Sequence, residues 1–225
     1  MKKWILGMTP LLLAFQASAC ELPPSSLPGG FVYVDEVDPT IMQEIEFATA
    51  NNLVGIPLKG YETGRAICTK VVADVLHQIQ KKLKKKGLSL CILDAYRPQR
   101  AVEHIKHWAK DLTDQKTKAR FYPNIEKREI LGAFVAAKRS SHSRGSTVDI
   151  LIADAHTKER LDFGPDGFGE SDTYLSTLTP IQQKNRLFLR EIMMAHGFKP
   201  YDKEFWHFTF RQEPFPKTYF DFPIR

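Results

Sequence analysis

The chain has 225 residues, 43% of them hydrophobic and 26% charged, a balance that excludes a disordered or fibrous polymer and fits one globular core. Its formal net charge is +6, and much of the excess sits in Lys81, Lys82, Lys84, Lys85 and Lys86, at the end of a helical pattern where cations suit the negative helix terminus. No nucleic-acid-binding motif accompanies the charge, so no nucleic-acid partner is expected; a solvated helix end or contact with an anionic surface are the two readings of the cluster.

The first segment reads as a targeting signal. Lys2 and Lys3 are followed by the apolar run Trp4 to Phe15 and by the small residues Ala17, Ser18 and Ala19, the pattern of a cleavable export signal over 1–19. That run is too short for an ordinary spanning helix. Cleavage after Ala19 exposes Cys20, the position of the acylated cysteine in bacterial lipoproteins, although Ala17 stands where Leu is usual. The expected location is therefore outside the cytoplasm, periplasmic or anchored to a membrane through Cys20. Residues 20–30 contain the turn-rich stretch Pro23 to Gly30 and read as a tether, and 31–225 as a single domain. With Cys20 modified, Cys68 and Cys91 either form a disulfide or are two small buried thiols.

Beyond the tether, Phe31 to Val34 reads as a short strand. Val72, Val75, Leu76, Ile79 and Leu83 recur at helical spacing within Thr69 to Lys86, and Gly87 supplies the stop. Leu88 to Leu93 is a β-rich interior run ending at Asp94-Ala95-Tyr96-Arg97-Pro98, after which Pro98 opens a helix through Ala101, Val102, Ile105 and Trp108. Thr147 to Ala153 reads as a strand with Val148, Ile150 and Ile152 on one face and Asp149 on the other. Asp162 to Ser171 is a loop. Pro180 to His196 reads as a helix with Ile181, Leu187, Phe188, Ile192 and Met193 available to bury, ended by Gly197. Trp206, Phe208 and Phe210 then alternate with His207 and Thr209, the pattern of a half-buried strand. Helices and strands interleave without a regular crossover unit, which predicts an α+β domain with a mainly antiparallel sheet flanked by helices.

Two predicted strands each present one metal-capable side chain opposite an apolar face, Asp149 on the first and His207 on the second. His142 lies in the loop before the first strand, and Gly145 permits a tight turn that folds it back toward Asp149. Two imidazoles and a carboxylate suit zinc, and a three-ligand set leaves one coordination position open. Glu204 stands three residues before His207. In a regular strand such residues point to opposite faces, so Glu204 reaches the same cleft only through a turn or bulge. There it can act as a general base. His104 and His107, three apart on a helix, read as a solvated surface because no third ligand is in register.

These residues also carry a resemblance. Ser140-x-His142-x-x-Gly145-x-Thr147-x-Asp149, followed by Glu204-x-Trp206-His207, resembles the signature of the VanX-type D-alanyl-D-alanine dipeptidases, a branch of the zinc D,D-peptidases. Tyr96-Arg97-Pro98 and the stretch Ala48 to Gly55 are similar to further segments of that family, so the likeness spans most of the chain after residue 40. It implies one Zn2+ per chain on His142, Asp149 and His207 in a zinc cleft, Glu204 as general base, Arg97 as oxyanion stabiliser, Ser140 in contact with substrate, and the D-Ala-D-Ala dipeptide as that substrate. A structural pair with Asp94 or with a C-terminal carboxylate is the alternative for Arg97. Thr147 replaces the family's Ala. In the loop where the family offers an acid to the substrate amine, Phe168 is followed by Gly169, leaving Asp166 or Glu170 as substitutes. A D,D-carboxypeptidase acting on peptidoglycan stem peptides, and a non-catalytic cell-wall binding module, are the other readings.

Overall fold

A computed structural model of the chain describes residues 1, 27–133, 139–167 and 176–225. The expected signal segment, Cys20, Phe168, Gly169 and Glu170 lie outside the described residues. Strands β1 (Phe31–Tyr33), β2 (Met42–Gln43), β3 (Ile67–Thr69), β4 (Leu88–Asp94), β5 (Thr147–Asp154), β6 (Phe198–Tyr201) and β7 (Glu204–Phe210) are joined by helices α1 (Val34–Val37), α2 (Lys70–Lys84), α3 (Gln99–Lys110), α4 (Lys118–Phe121), α5 (Lys127–Ala133) and α6 (Pro180–Ala195). Five strands form one sheet in the order β2-β4-β5-β7-β6, antiparallel except for the short parallel β2–β4 pair. β1 pairs with β3 in a separate two-stranded sheet. The molecule is an α+β fold, as the interleaved elements predicted.

The sheet's two faces divide core from cleft. β5 registers Ile150 against Ile92 and Ile152 against Leu90, and Val148 against Phe208 of β7. All six are fully buried, so a continuous apolar layer stabilises this face by removing branched side chains from water. The alternate residues, Asp149 and Leu151, face a cleft on the other side. Helix α2 docks on β4 partly through a buried amide: Gln80 Oε1 accepts from Leu90 N at 2.8 Å while its Nε2 donates to Ser89 Oγ at 2.9 Å. The exposed lysines follow at its end, before Gly87 takes a left-handed turn at φ +71°.

Two local expectations change. Pro98 is the residue before α3 rather than its first turn. The buried face of α6 consists of Arg186, Leu189 and Met193, whereas Ile181 and Leu187 are exposed. At 100° per residue those two lie away from the arc that packs on β6 and β7. Arg186 can be buried because Phe163 O and Pro165 O accept from its guanidinium at 2.7 and 2.6 Å. Of the two readings of Cys68 and Cys91, the structure has free buried thiols, one on β3 and one on β4, in different sheets. Burial pushes the Cys91 thiol up to about 12, which makes it a packing group and not a nucleophile.

Candidate metal centre and active-site cleft

The turn that carries His142 is built by its neighbours. Ser140 Oγ accepts from His142 N at 3.3 Å and opens a 3-10 turn over Ser141–Arg144, which Gly145 closes at φ +78°. A Cβ at Gly145 would also overlap the Phe31 ring, so both backbone conformation and space require glycine there. β5 begins two residues later, which brings His142 back over Asp149.

His207 arrives from the neighbouring strand, paired directly with Asp149. His142 Nε2 lies 3.3 Å from Asp149 Oδ2 and 3.3 Å from His207 Nδ1, and His207 Nδ1 lies 3.1 Å from Asp149 Oδ1. One nitrogen or oxygen from each of the three residues falls within 4.8 Å of the others, and among the described residues no second such group forms. The remaining ring nitrogens are occupied. His142 Nδ1 donates to Ala95 O at 2.8 Å, which assigns the proton to Nδ1 and leaves the Nε2 lone pair facing the cluster. His207 Nε2 faces Ser141 Oγ at 3.5 Å, leaving Nδ1 inward.

The donor set fits a zinc ion. Asp149 Oδ1 is buried without a hydrogen-bond partner, a costly arrangement for a carboxylate oxygen unless something cationic completes it. Two imidazole lone pairs aimed at the same point add to that demand. Burial works against ionisation of Asp149, but the adjacent His142 and His207 rings favour the carboxylate and hold it well below the usual range. The result is an acceptor-only carboxylate at neutral pH.

Glu204 joins the cleft by the bulge that the strand pattern required. Pro200 pairs with Phe208, but the next residue, Tyr201, pairs with Glu204, so three extra residues of β7 bow out between two consecutive β6 positions. Glu204 Oε2 consequently lies 3.5 Å from His207 Nδ1. The same bulge breaks the predicted alternation: Trp206 lines the cleft beside His207, and Phe205 is buried instead. Burial pushes the Glu204 carboxyl up to about 7; the charge of His207 opposes this, and Asp149 adds to it. A carboxylate of that basicity is suited to accept and return a proton near neutral pH.

Arg97 pairs with Asp94 and also lines the cleft. Its Nε donates to Asp94 Oδ2 at 2.9 Å, and a terminal nitrogen lies 2.8 Å from that oxygen and 3.4 Å from Asp149 Oδ2. The guanidinium rests over the Phe47 ring at 4.5 Å and lines the cleft. Asp94 is itself held by Tyr61, whose hydroxyl donates to Oδ1 at 2.6 Å. Thr147 hydrogen-bonds the Thr209 hydroxyl across the strand pair at 2.9 Å, which satisfies the added hydroxyl away from the ligand atoms.

The cleft has a volume of about 400 Å³. Ser140, Ser141, Phe47 and Leu53 line it with the cluster, and so does Asp166, which Arg120 grips at 2.7 and 3.2 Å. The segment Ala48 to Gly55 forms a wall because the buried Asn52 side chain ties it together, donating to Thr49 O and Ile56 O and accepting from Val54 N. His104 and His107 stay apart from the cluster, accepting from Lys59 N and facing Glu103 O respectively. Asp94 appeared in the sequence only as a partner for Arg97, though its three-residue spacing was a usable signal. Tyr61 and Ser141 carried none, since their roles depend on contacts 33 and 66 residues away.

Comparison with known proteins gives the family. The family model described as D-ala-D-ala dipeptidase matches residues 28–225. A D-alanyl-D-alanine dipeptidase of Streptomyces coelicolor is 39% identical over 201 residues, covering 87% of this chain and 98% of that protein. One from Enterococcus faecium is 35% identical with the same coverage, and one from Escherichia coli is 31% identical over 77% of this chain and 81% of its own length. With a family match across nearly all of the described residues and relatives above 30% identity, the chain belongs to the D-Ala-D-Ala dipeptidase family of peptidases.

Proposed function

We propose that the chain hydrolyses the D-Ala-D-Ala dipeptide outside the cytoplasm, using one zinc ion held by His142, Asp149 and His207. The observation that carries the reading is the convergence of three ligand atoms within 4.8 Å around a buried, unpartnered Asp149 Oδ1. A zinc ion held by these residues would supply Lewis acidity and make water acidic enough to ionise near neutral pH.

The protein's own groups supply the rest. Glu204, beside His207 but outside the ligand set, accepts the proton of the attacking water and passes it to the leaving amine. Arg97, fixed by Asp94, stabilises the negative oxygen that develops on the substrate carbonyl, a contribution of about 3–4 kcal/mol for one such donor in a water-poor site. Ser140 lines the cleft with its oxygen already bonded to His142 N, so its contact with substrate runs through the remaining capacity of that hydroxyl.

Purified mature chain is expected to release D-alanine from D-Ala-D-Ala, to lose that activity on chelation and to regain it with zinc. N-acylated D-Ala-D-Ala should be a poor substrate. Turnover of the acylated peptide at the same rate would instead favour a D,D-carboxypeptidase of stem peptides, and activity indifferent to chelation would overturn the metal centre.

The export proposal rests on Lys2, Lys3, the apolar run and Cys20. An exported enzyme of this kind acts on fragments of wall turnover rather than on a cytoplasmic precursor. Fractionation should find the protein with membranes and a Cys20→Ser variant in the soluble exported fraction; wild-type protein recovered from the cytoplasm would contradict both steps.

A further inference from the structure

The last residues of the chain form no helix, yet they tie together the two loops that hold the chemistry. Phe220 N donates to Ser143 O at 2.8 Å, and Phe220 O accepts from Gln99 N at 3.1 Å. A single residue thus bridges the turn carrying His142 and the start of α3, two residues beyond Arg97. The direct backbone bond between the loops, Arg97 N to His142 O, is long at 3.4 Å.

Neighbouring contacts hold the bridge in register. Asp221 Oδ1 accepts from Arg100 N and Nε at 2.7 and 3.0 Å. The Tyr96 hydroxyl donates to Phe222 O at 3.0 Å and accepts from Phe222 N at 2.9 Å, and the two rings stack at 4.1 Å with an interplanar angle of 13°. Phe31, the ring that closes over Gly145, packs edge-on against Tyr96, Phe220 and Phe222. Farther on, Ile224 N donates to Gly60 O and Ile224 O accepts from Glu62 N, on either side of Tyr61, the residue that holds Asp94.

We propose that Phe220 and Phe222, together with Tyr96, are positioning residues that set the spacing between Arg97 and His142. The strap acts on catalysis through these two loops and does not touch substrate. The proposal rests on the reading in which His142 binds zinc and Arg97 stabilises the oxyanion. Because metal ligands lose affinity when the groups orienting them are disturbed, a loosened strap should weaken zinc binding as well as slow turnover.

Two variants test it. Tyr96→Phe removes both hydrogen bonds to Phe222 and keeps the stack; Phe220→Pro removes the donor to Ser143. Leu76→Ala, in the core of α2 and away from the cleft, serves as a control of reduced stability. Zinc affinity of the metal-free proteins is measured by competition with a chromophoric chelator, alongside kcat, KM and thermal midpoint. Both strap variants are expected to bind zinc about 10- to 100-fold more weakly. Their kcat should fall while KM stays within about two-fold. Leu76→Ala should lower only the thermal midpoint. Strap variants that behave like Leu76→Ala would overturn the proposal, and Tyr96→Phe decides alone should Phe220→Pro not fold. Unchanged zinc affinity in His142→Ala would instead overturn the metal-centre reading beneath it.

Discussion

Glu204→Gln is expected to lower kcat for D-Ala-D-Ala hydrolysis by about 10²- to 10⁴-fold, the usual contribution of a positioned general base. The substitution keeps the shape of a residue that is only 8% exposed, so the bulge in β7 and the position of His207 should persist. Since Glu204 lies outside the group formed by His142, Asp149 and His207, zinc content should remain at the wild-type level. KM should change little, because the amide still fills the same space beside the cleft. Product release is followed by D-alanine detection, and metal by elemental analysis of the same sample. A Gln variant retaining more than roughly a tenth of wild-type kcat would remove Glu204 from the proton-transfer role.

For Arg97→Ala the expected loss is about 10²- to 10³-fold in kcat, the effect of deleting one oxyanion donor. This variant should also be less stable, because Asp94 is almost wholly buried and would lose the cation that neutralises it. The two consequences can be separated. Arg97→Lys retains a charge near Asp94 but not the planar fork that reaches Asp94 and Asp149 together. Lysine should therefore recover more thermal stability than rate. If Arg97→Ala lowers the thermal midpoint yet leaves kcat per folded molecule unchanged, the pair with Asp94 is the whole of its role.

Both predictions concern residues that two short motifs bring to notice, and the reason lies in the turn and strand grammar around them. Gly145 in a left-handed turn and the alternation along β5 are local properties, so the return of His142 toward Asp149 could be reasoned from ten consecutive residues. The same holds for α2, where apolar spacing and Gly87 mark the helix and its end. Alternation along β7 was a poorer guide. It placed Trp206 with Phe208 and Phe210, whereas the bulge turns Trp206 into the cleft and buries Phe205. On α6, apolar residues were more numerous than buried positions, and Arg186 took a core position that hydropathy alone would deny it.

Read alone, the order of amino acids determined the α+β class, the main elements and the return of His142 toward Asp149, because periodicity and turn residues act over a few neighbours. His207 as the third member was implied by the family resemblance, and its arrival depends on β5 pairing with β7. Tertiary structure decided the rest. The reach of Glu204 depends on how β7 pairs with β6, the hold on Arg97 depends on Tyr61 and Asp94 meeting, and the spacing of the two loops depends on Phe220 returning from the far end of the chain. Each is a contact between segments distant in sequence. Its energy comes from geometry that exists only once the sheet has assembled.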